Sequence, residues 1–183
     1  MSVPFQTPLS QAKYLPSPNC DERPAGTTPD LLVIHCISLP PGEYGGPWIN
    51  DLFLNRLDPS IHPYFEKIHQ LKVSAHALVR RNGEVVQFVS LDMRAWHAGE
   101  SCFGDRKNCN DYSIGIELEG SDQRAYTDAQ YHSLTRITRE IMHFYPAIVP
   151  ERITGHEHIA PGRKTDPGPA FDWNRYLASL GGQ

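Results

Sequence analysis

One short segment of the chain concentrates side chains that could carry out chemistry. Residues 155–173 read GHEHIAPGRKTDPGPAFDW and hold two histidines, a basic pair and an aspartate followed by proline. A residue before proline is pushed toward extended backbone conformations, which applies here to Asp166. If residues 164–165 are extended as well, the side chains of Lys164 and Asp166 point to the same side. The segment therefore predicts a cation and a carboxylate that face one site.

Zinc hydrolysis chemistry is one explanation of this segment. Two histidines and one carboxylate form a known catalytic zinc set, which leaves a fourth position for water. Asp166 could supply the carboxylate, and His156 and His158, two residues apart, are both candidate histidine ligands. The spacing does not choose between these histidines. A loop held by salt bridges and hydrogen bonds explains the same residues, because separated ligands carry no local signature.

Two further polar side chains occur where the sequence predicts apolar strands. His35 follows the apolar run 31–34 and precedes a loop rich in glycine and proline, and sites in α/β folds gather at such strand ends. Glu117 lies in the alternating segment 113–119. A carboxylate there is either exposed on the polar face or held in a cleft, where burial raises its pKa unless a cation compensates. The pattern alone leaves both possibilities open.

The strands and helices that the sequence predicts must position these side chains. Together they indicate an α/β fold with a mixed central β-sheet and helices packed on it. One domain spans residues 1–183, and residues 1–29 form an irregular N-terminal arm. Asn82-Gly83 predicts a hairpin between two strands, and Thr127 with Gln130 predicts a capping box. The other predictions are a strand at 31–35, a loop at 38–47, a helix with Ile49, Leu52, Phe53 and Leu57 on one stripe, strands at 113–119 and 152–154, and a C-terminal helix with Trp173, Tyr176, Leu177 and Leu180.

Composition excludes several classes of partner. The net charge of −4 gives no bulk attraction to nucleic acid or to an anionic membrane. No segment approaches the roughly 18 apolar residues of a membrane span, and the first residues lack the pattern of a signal peptide. These features predict a cytoplasmic protein with no obligate protein partner. Reduced thiols are expected for all four cysteines, Cys20, Cys36, Cys102 and Cys109, which form no CxxC motif.

Five motifs occur in order and together carry a resemblance to a known family. They are Val33-Ile34-His35, residues 73–76 (VSAH), residues 95–99 (AWHAG), residues 113–120 (SIGIELEG), and the segment 155–173. Across about residues 15–177 the chain resembles the zinc-dependent N-acetylmuramoyl-L-alanine amidases, which share a fold with peptidoglycan recognition proteins. The ordered set is specific, although each motif alone is weak.

The resemblance implies a mechanism and a substrate class. It implies that His35, His156 and Asp166 bind zinc, which activates a water molecule and polarises the carbonyl of the lactyl amide between muramic acid and L-alanine. It further implies that Glu117 moves the proton from the water to the leaving amine and that Lys164 stabilises the oxyanion. The implied substrate is a 1,6-anhydromuropeptide in cytoplasmic cell-wall recycling.

The chain departs from the family pattern at some positions. It has Glu157-His158 where close relatives have Cys-Asp, so His156 is predicted to be the ligand and His158 a bystander. Lys72 and Asn108 stand where some relatives use arginines for the peptide carboxylates, with Arg106 and Lys107 nearby. A lysine in such a place loses bidentate geometry. The residues predicted to bind substrate are Lys72, His76, Trp96, His97, Arg106 and Asn108.

Two alternative functions compete with this one. A related amidase could act on intact periplasmic peptidoglycan, which the missing signal peptide argues against. A peptidoglycan-binding protein without activity would typically lack a zinc ligand, whereas this chain keeps all three candidate ligands together with Glu117 and Lys164.

Overall fold

The computed structural model of the chain describes residues 8–181. Within this range the strands are β1 (Lys13–Tyr14), β2 (Cys20–Asp21), β3 (Leu31–Ile37), β4 (Ala77–Val79), β5 (Val85–Gln87), β6 (Arg94–Ala95), β7 (Cys102–Phe103), β8 (Arg106–Lys107), β9 (Ser113–Glu119) and β10 (Ile153–Gly155). The α-helices are α1 (Trp48–Phe53), α2 (Pro63–Ile68), α3 (Asp128–Phe144), α4 (His156–Ile159) and α5 (Trp173–Leu180).

A mixed six-stranded sheet forms the centre of the fold, in the order β1-β5-β4-β9-β3-β10. Strand β9 pairs in parallel with β3 on one side and with β4 on the other. The β4–β5 pair is antiparallel around Asn82-Gly83, and Gly83 adopts a positive φ of 86°. The predicted sheet, the hairpin and the strand at 113–119 are therefore confirmed.

Helices α3 and α5 cover one face of this sheet. The predicted capping box is present, with the side chain of Thr127 accepting from the backbone of Gln130. Apolar side chains of α3 pack with the alternating residues of β9 in one buried cluster, which contains Leu134, Ile137, Ile141, Ile114, Ile116 and Leu118. Alternation along β9 then directs Gly115, Glu117 and Glu119 to the opposite face, where the candidate site lies.

Strand β3 is longer than the sequence predicts. It continues past His35 to Ile37, because its parallel pairing with β9 extends as far as Ile37 and Glu119. His35 is thus an interior residue of a strand rather than its last residue, and it lies directly opposite Glu117 in the register. This pairing brings two of the predicted site residues together.

Two other predictions need correction. The described part of the arm, residues 8–29, is not wholly irregular, because β1 pairs in parallel with β5 and β2 pairs with β6. Residues 1–7 of the predicted arm lie outside the described residues. The helix expected to reach Leu57 ends at Phe53, and Asn55 with a positive φ of 57° interrupts the helical path.

The helices and the cysteines bear on two further expectations. Across residues 8–181, no helix is both long and apolar enough to cross a membrane. Cys20, Cys36, Cys102 and Cys109 are free thiols, as expected, and of these Cys109 is buried.

Candidate metal centre and active site

The fold brings three sequence-predicted ligands to one point. His35 comes from the interior of β3, His156 is the first residue of α4, and Asp166 lies in the loop after that helix. The Nδ1 atoms of the two histidines are 2.9 Å apart, and each lies 3.1 Å from Oδ2 of Asp166. Both histidines are buried. Such a group of ligand atoms could hold a metal ion.

The chemistry of these donors fits a bound cation. Nε2 of His156 lies 3.0 Å from the carbonyl oxygen of Ala98, and a carbonyl can only accept, so a neutral His156 carries its proton on Nε2. Its Nδ1 lone pair then faces a carboxylate with no proton between them. Ligand atoms about 2.1 Å from a tetrahedral zinc ion lie about 3.4 Å from one another. The observed spacing of 2.9–3.1 Å is close to this arrangement.

Burial and neighbouring charge set the protonation of two of these ligands. Burial lowers the pKa of His35 to about 4, so its ring is neutral at pH 7. Burial alone would raise the pKa of Asp166, but its contacts with His156 and His35 outweigh burial and hold that pKa below its usual range. The site therefore combines a neutral imidazole with an ionised carboxylate, the forms in which these groups bind metals.

Glu117 and Lys164 line the same cavity, whose volume is about 350 Å³. Among the described residues, no hydrogen-bond partner contacts the buried Oε2 of Glu117. Burial raises the pKa of Glu117 well above 4.5; the charge of Asp166 raises it further, and the charge of Lys164 opposes the rise. A carboxylate with this raised proton affinity, beside a metal site, is suited to accept a proton from water.

The cavity has an apolar wall that the sequence did not reveal as part of a site. Its apolar members come from the loop after β3, from helices α1 and α2, and from the segment before β4: Leu39, Pro41, Leu52, Phe53, Tyr64, Ile68, Leu71 and Val73. A wall of this kind excludes water and strengthens the electrostatic interactions inside the cavity. The apolar stripe of α1 was visible in the sequence, but it indicates core packing and cavity lining equally well.

Comparison with known proteins identifies the family. Residues 25–169 match the model of the N-acetylmuramoyl-L-alanine amidase family. The chain belongs to this family. It is therefore an amide hydrolase, and the family predicted from the ordered motifs is confirmed.

The amidase is similar to several named relatives. It is 59% identical over 170 residues to the 1,6-anhydro-N-acetylmuramyl-L-alanine amidase AmpD of Salmonella typhimurium (strain SL1344), covering 93% of this chain and 90% of the relative. A crystal structure of an AmpD selenomethionine derivative superposes with a TM-score of 0.93 at 56% identity, covering 98% of this chain and 99% of the other.

A more distant relative has been solved with a ligand. The amidase AmiD of E. coli, in complex with the substrate anhydro-N-acetylmuramic acid-L-Ala-D-γ-Glu-L-Lys, superposes with a TM-score of 0.62 at 29% identity. The superposition covers 87% of this chain and 61% of that protein. This amidase therefore shares its fold with AmpD and with AmiD.

His158 lies apart from the three candidate metal ligands of the amidase. Its side chain is 59% exposed, and its Nε2 is 3.9 Å from the carboxylate of Glu157. Its ring packs near Trp173, with ring centroids 6.2 Å apart, and its Nδ1 accepts a weak hydrogen bond from the backbone of Gly155. These contacts agree with a bystander role.

Replacing His158 with alanine is expected to leave zinc binding and activity within about twofold of the unmodified amidase, because the residue touches none of the three ligands. Metal content after dialysis and the initial rate of amide hydrolysis are the measurements. Loss of zinc from a folded His158→Ala protein would show that the wrong histidine of the pair has been assigned.

The predicted substrate-binding residues occupy different places in the amidase. Trp96 lines the cavity and donates from Nε1 to Asp21. His97 also lines the cavity, and burial lowers its pKa well below the ordinary histidine value. His76 does not reach the cavity: its ring is buried, Nδ1 accepts from the backbone of Gly115, and Nε2 donates to the carbonyl of Met93. Both ring nitrogens therefore bond to backbone, and substrate contact by His76 stays a prediction.

The three remaining predicted substrate residues lie outside the cavity lining. Lys72 is exposed beside it. Arg106 pairs with Asp30 at 2.6 Å, and its guanidinium lies over the ring of Tyr112 at 3.6 Å. Asn108 lines a separate cleft, of about 460 Å³. Substrate contact by these residues stays a prediction.

Proposed function

We propose that this amidase binds one zinc ion through His35, His156 and Asp166 and hydrolyses the lactyl amide bond between 1,6-anhydro-N-acetylmuramic acid and L-alanine. The convergence of three metal-ligand atoms at 2.9–3.1 Å from one another, beside Glu117, carries the proposal. Zinc in such a site lowers the pKa of a water molecule and polarises the amide carbonyl. The chain's own residues then orient the substrate and move the protons.

Glu117 is the proposed general base and acid. It accepts a proton from the attacking water at its free carboxylate oxygen and passes that proton to the nitrogen of the leaving L-alanine. Its raised pKa supports both steps, because a base that holds its proton more tightly removes it from water more readily. The apolar wall of the cavity keeps bulk water from competing for the proton.

Lys164 is the proposed stabiliser of the oxyanion that forms on the amide carbonyl. Lys164 lines the cavity, and its charge acts on both Glu117 and His35. A fixed positive charge close to developing negative charge stabilises the transition state more than the ground state. Lys164 also offsets part of the unfavourable proximity of two carboxylates, Glu117 and Asp166.

Replacing Lys164 with alanine is expected to reduce kcat by about 10²- to 10³-fold, the cost of losing one oxyanion donor. Zinc occupancy should stay at one ion per chain, because Lys164 is not a ligand. Steady-state kinetics and metal analysis of the same sample test this result. A variant that loses its zinc together with its rate would contradict the separation of the two roles.

The substrate class is proposed from the relatives. AmpD at 59% identity is a 1,6-anhydro-N-acetylmuramyl-L-alanine amidase, and AmiD binds an anhydromuramyl tripeptide. We infer that this amidase acts on soluble anhydromuropeptides in cytoplasmic cell-wall recycling. The alternative is action on intact peptidoglycan outside the cytoplasm.

The decisive experiment compares three substrates with the zinc-loaded amidase: an anhydromuramyl peptide, the matching reducing muramyl peptide, and intact peptidoglycan. Release of L-alanine-terminated peptide is measured for each. Clear preference for the anhydro form is expected, and preference for the polymer would favour the alternative. Full activity of a metal-free protein would overturn the zinc assignment, and tight binding without turnover would indicate a binding protein.

A further inference from the structure

The segment Trp96-His97-Ala98, part of the AWHAG motif, has no role in the chemistry proposed above. It follows β6 and runs behind the two histidine ligands of the metal site. Nδ1 of His97 lies 2.9 Å from Nε2 of His35, and the carbonyl oxygen of Ala98 lies 3.0 Å from Nε2 of His156. Thus His97 contacts Nε2 of His35, and Ala98 contacts Nε2 of His156. In each histidine this is the ring nitrogen that does not face the metal position.

Proton positions along this chain of contacts follow from a backbone carbonyl. The carbonyl of Cys109 can only accept, so the hydroxyl of Ser113 donates its one proton to it at 2.6 Å. Ser113 must then accept from Nε2 of His97 at 3.1 Å. A neutral His97 that donates from Nε2 has a lone pair on Nδ1, which accepts from Nε2 of His35. His35 is left with its lone pair on Nδ1, the atom that faces the metal position.

The position of the His97 ring depends on Gly115 of β9. A Cβ atom added to Gly115 would lie 2.4 Å from Nδ1 and 2.5 Å from Cγ of His97. Carbon atoms do not approach so closely, so only glycine leaves room for the ring against the strand. The absence of a side chain at Gly115 therefore creates the space in which His97 reaches His35.

Asn110 fixes the backbone of the same segment. Its side-chain oxygen accepts from the amide of His97 at 3.1 Å and from the amide of Ala98 at 2.8 Å. These two hydrogen bonds hold His97 and Ala98 in place beside His35 and His156. The Ala98 carbonyl also accepts from Arg163 at 2.7 Å, which joins this segment to the loop that carries Asp166.

We propose that His97 is a positioning residue of the metal site, which directs Nδ1 of His35 to the metal, while the Ala98 carbonyl does the same for His156. The inference rests on the proposed zinc site and assigns to His97 a role different from the predicted contact with substrate. Outer hydrogen bonds of this kind fix the tautomer and the ring orientation of metal-bound histidines, and their loss costs about 10- to 100-fold in metal affinity.

The test uses zinc affinity measured by competition with a chromophoric chelator. His97→Phe keeps a ring of similar shape but offers no acceptor to His35, and we expect about 10- to 100-fold weaker zinc binding. His97→Asn places an amide oxygen at the position of Nδ1 and should bind zinc within a few fold of the unmodified chain. His132→Phe, the same change at an exposed residue of α3, should bind zinc normally.

A second measurement needs no substitution. Nitrogen-15 NMR of the zinc-loaded amidase reports which ring nitrogen of each histidine bears a proton, and His35 and His97 should both be protonated on Nε2. A proton on Nδ1 of His97 would overturn the proposal, as would unchanged zinc affinity in folded His97→Phe. Circular dichroism of the metal-free variants separates lost affinity from lost folding. If the unmodified chain binds no zinc, the proposed function fails instead.

Discussion

Replacing Asp166 with alanine is expected to abolish zinc binding and amidase activity together. Asp166 contributes the negative charge of the proposed ligand set, and its Oδ2 lies 3.1 Å from both histidine Nδ1 atoms. Without it, two neutral imidazoles hold the cation, and a site with two protein ligands no longer has the three-ligand geometry of a catalytic zinc centre. We expect metal content near zero after dialysis and a rate at the level of the uncatalysed background.

The controls for this prediction separate loss of a ligand from loss of a charge. Asp166→Asn keeps the size of the side chain but loses its charge, so zinc affinity should fall while the fold is retained. Asp128→Ala removes a carboxylate at the start of α3, whose side chain is 91% exposed, and should leave zinc and rate unchanged. If folded Asp166→Ala retains one zinc ion per chain, the ligand assignment is wrong.

Replacing Glu117 with glutamine is expected to lower kcat by about 10²- to 10⁴-fold, the usual contribution of general acid–base catalysis. The amide has the size and shape of the carboxylate but cannot accept the proton from water. Zinc content should stay at one ion per chain, because Glu117 is not one of the three ligands. Single-turnover rates together with metal analysis give both quantities.

Because of the location of Glu117, this substitution should disturb few other contacts. Its buried Oε2 has no hydrogen-bond partner among the described residues, so the change breaks no contact at that atom. It also removes the cost of burying a charge, so Glu117→Gln should unfold at the same temperature as the unmodified amidase or higher. Glu84→Gln, an exposed position next to β5, is the matched control for activity. A rate close to normal in Glu117→Gln would exclude Glu117 as the base.

Local pattern determines much of the fold. The alternation over 113–119 predicts β9 with its correct bounds, because successive side chains of a strand point to opposite faces of the sheet. Asn82-Gly83 predicts the hairpin and Thr127 with Gln130 the start of α3, because both signals depend on residues close in sequence. The ordered motifs also indicate the family, and the five residues predicted to bind zinc or to act in catalysis line one cavity. Their individual roles stay predictions.

The choice between His156 and His158 is made by local backbone that the sequence did not predict. On an extended segment, residues two apart point the same way, so both histidines were candidates. In the structure they begin the short helix α4, where residues two apart point about 200° apart. Only one of the two rings can then face the site, and the other faces outward. His156 is buried, so its ring is the one that faces the site.

The roles of the other histidines depend on contacts between residues far apart in sequence. His35 meets His97 across 62 positions and His156 across 121, distances over which no periodicity or spacing carries information. His76 and His97 look alike in the sequence, since both lie beside predicted strands. Their packing differs: His76 bonds to the backbone of β9, whereas the missing side chain of Gly115 leaves room for His97 to reach His35. The sequence by itself determined β9, the β4–β5 hairpin, the start of α3 and the kinds of ligand, because these follow from local patterns. Tertiary structure alone decided which side chains meet, because that depends on how the strands pair and on the space between them.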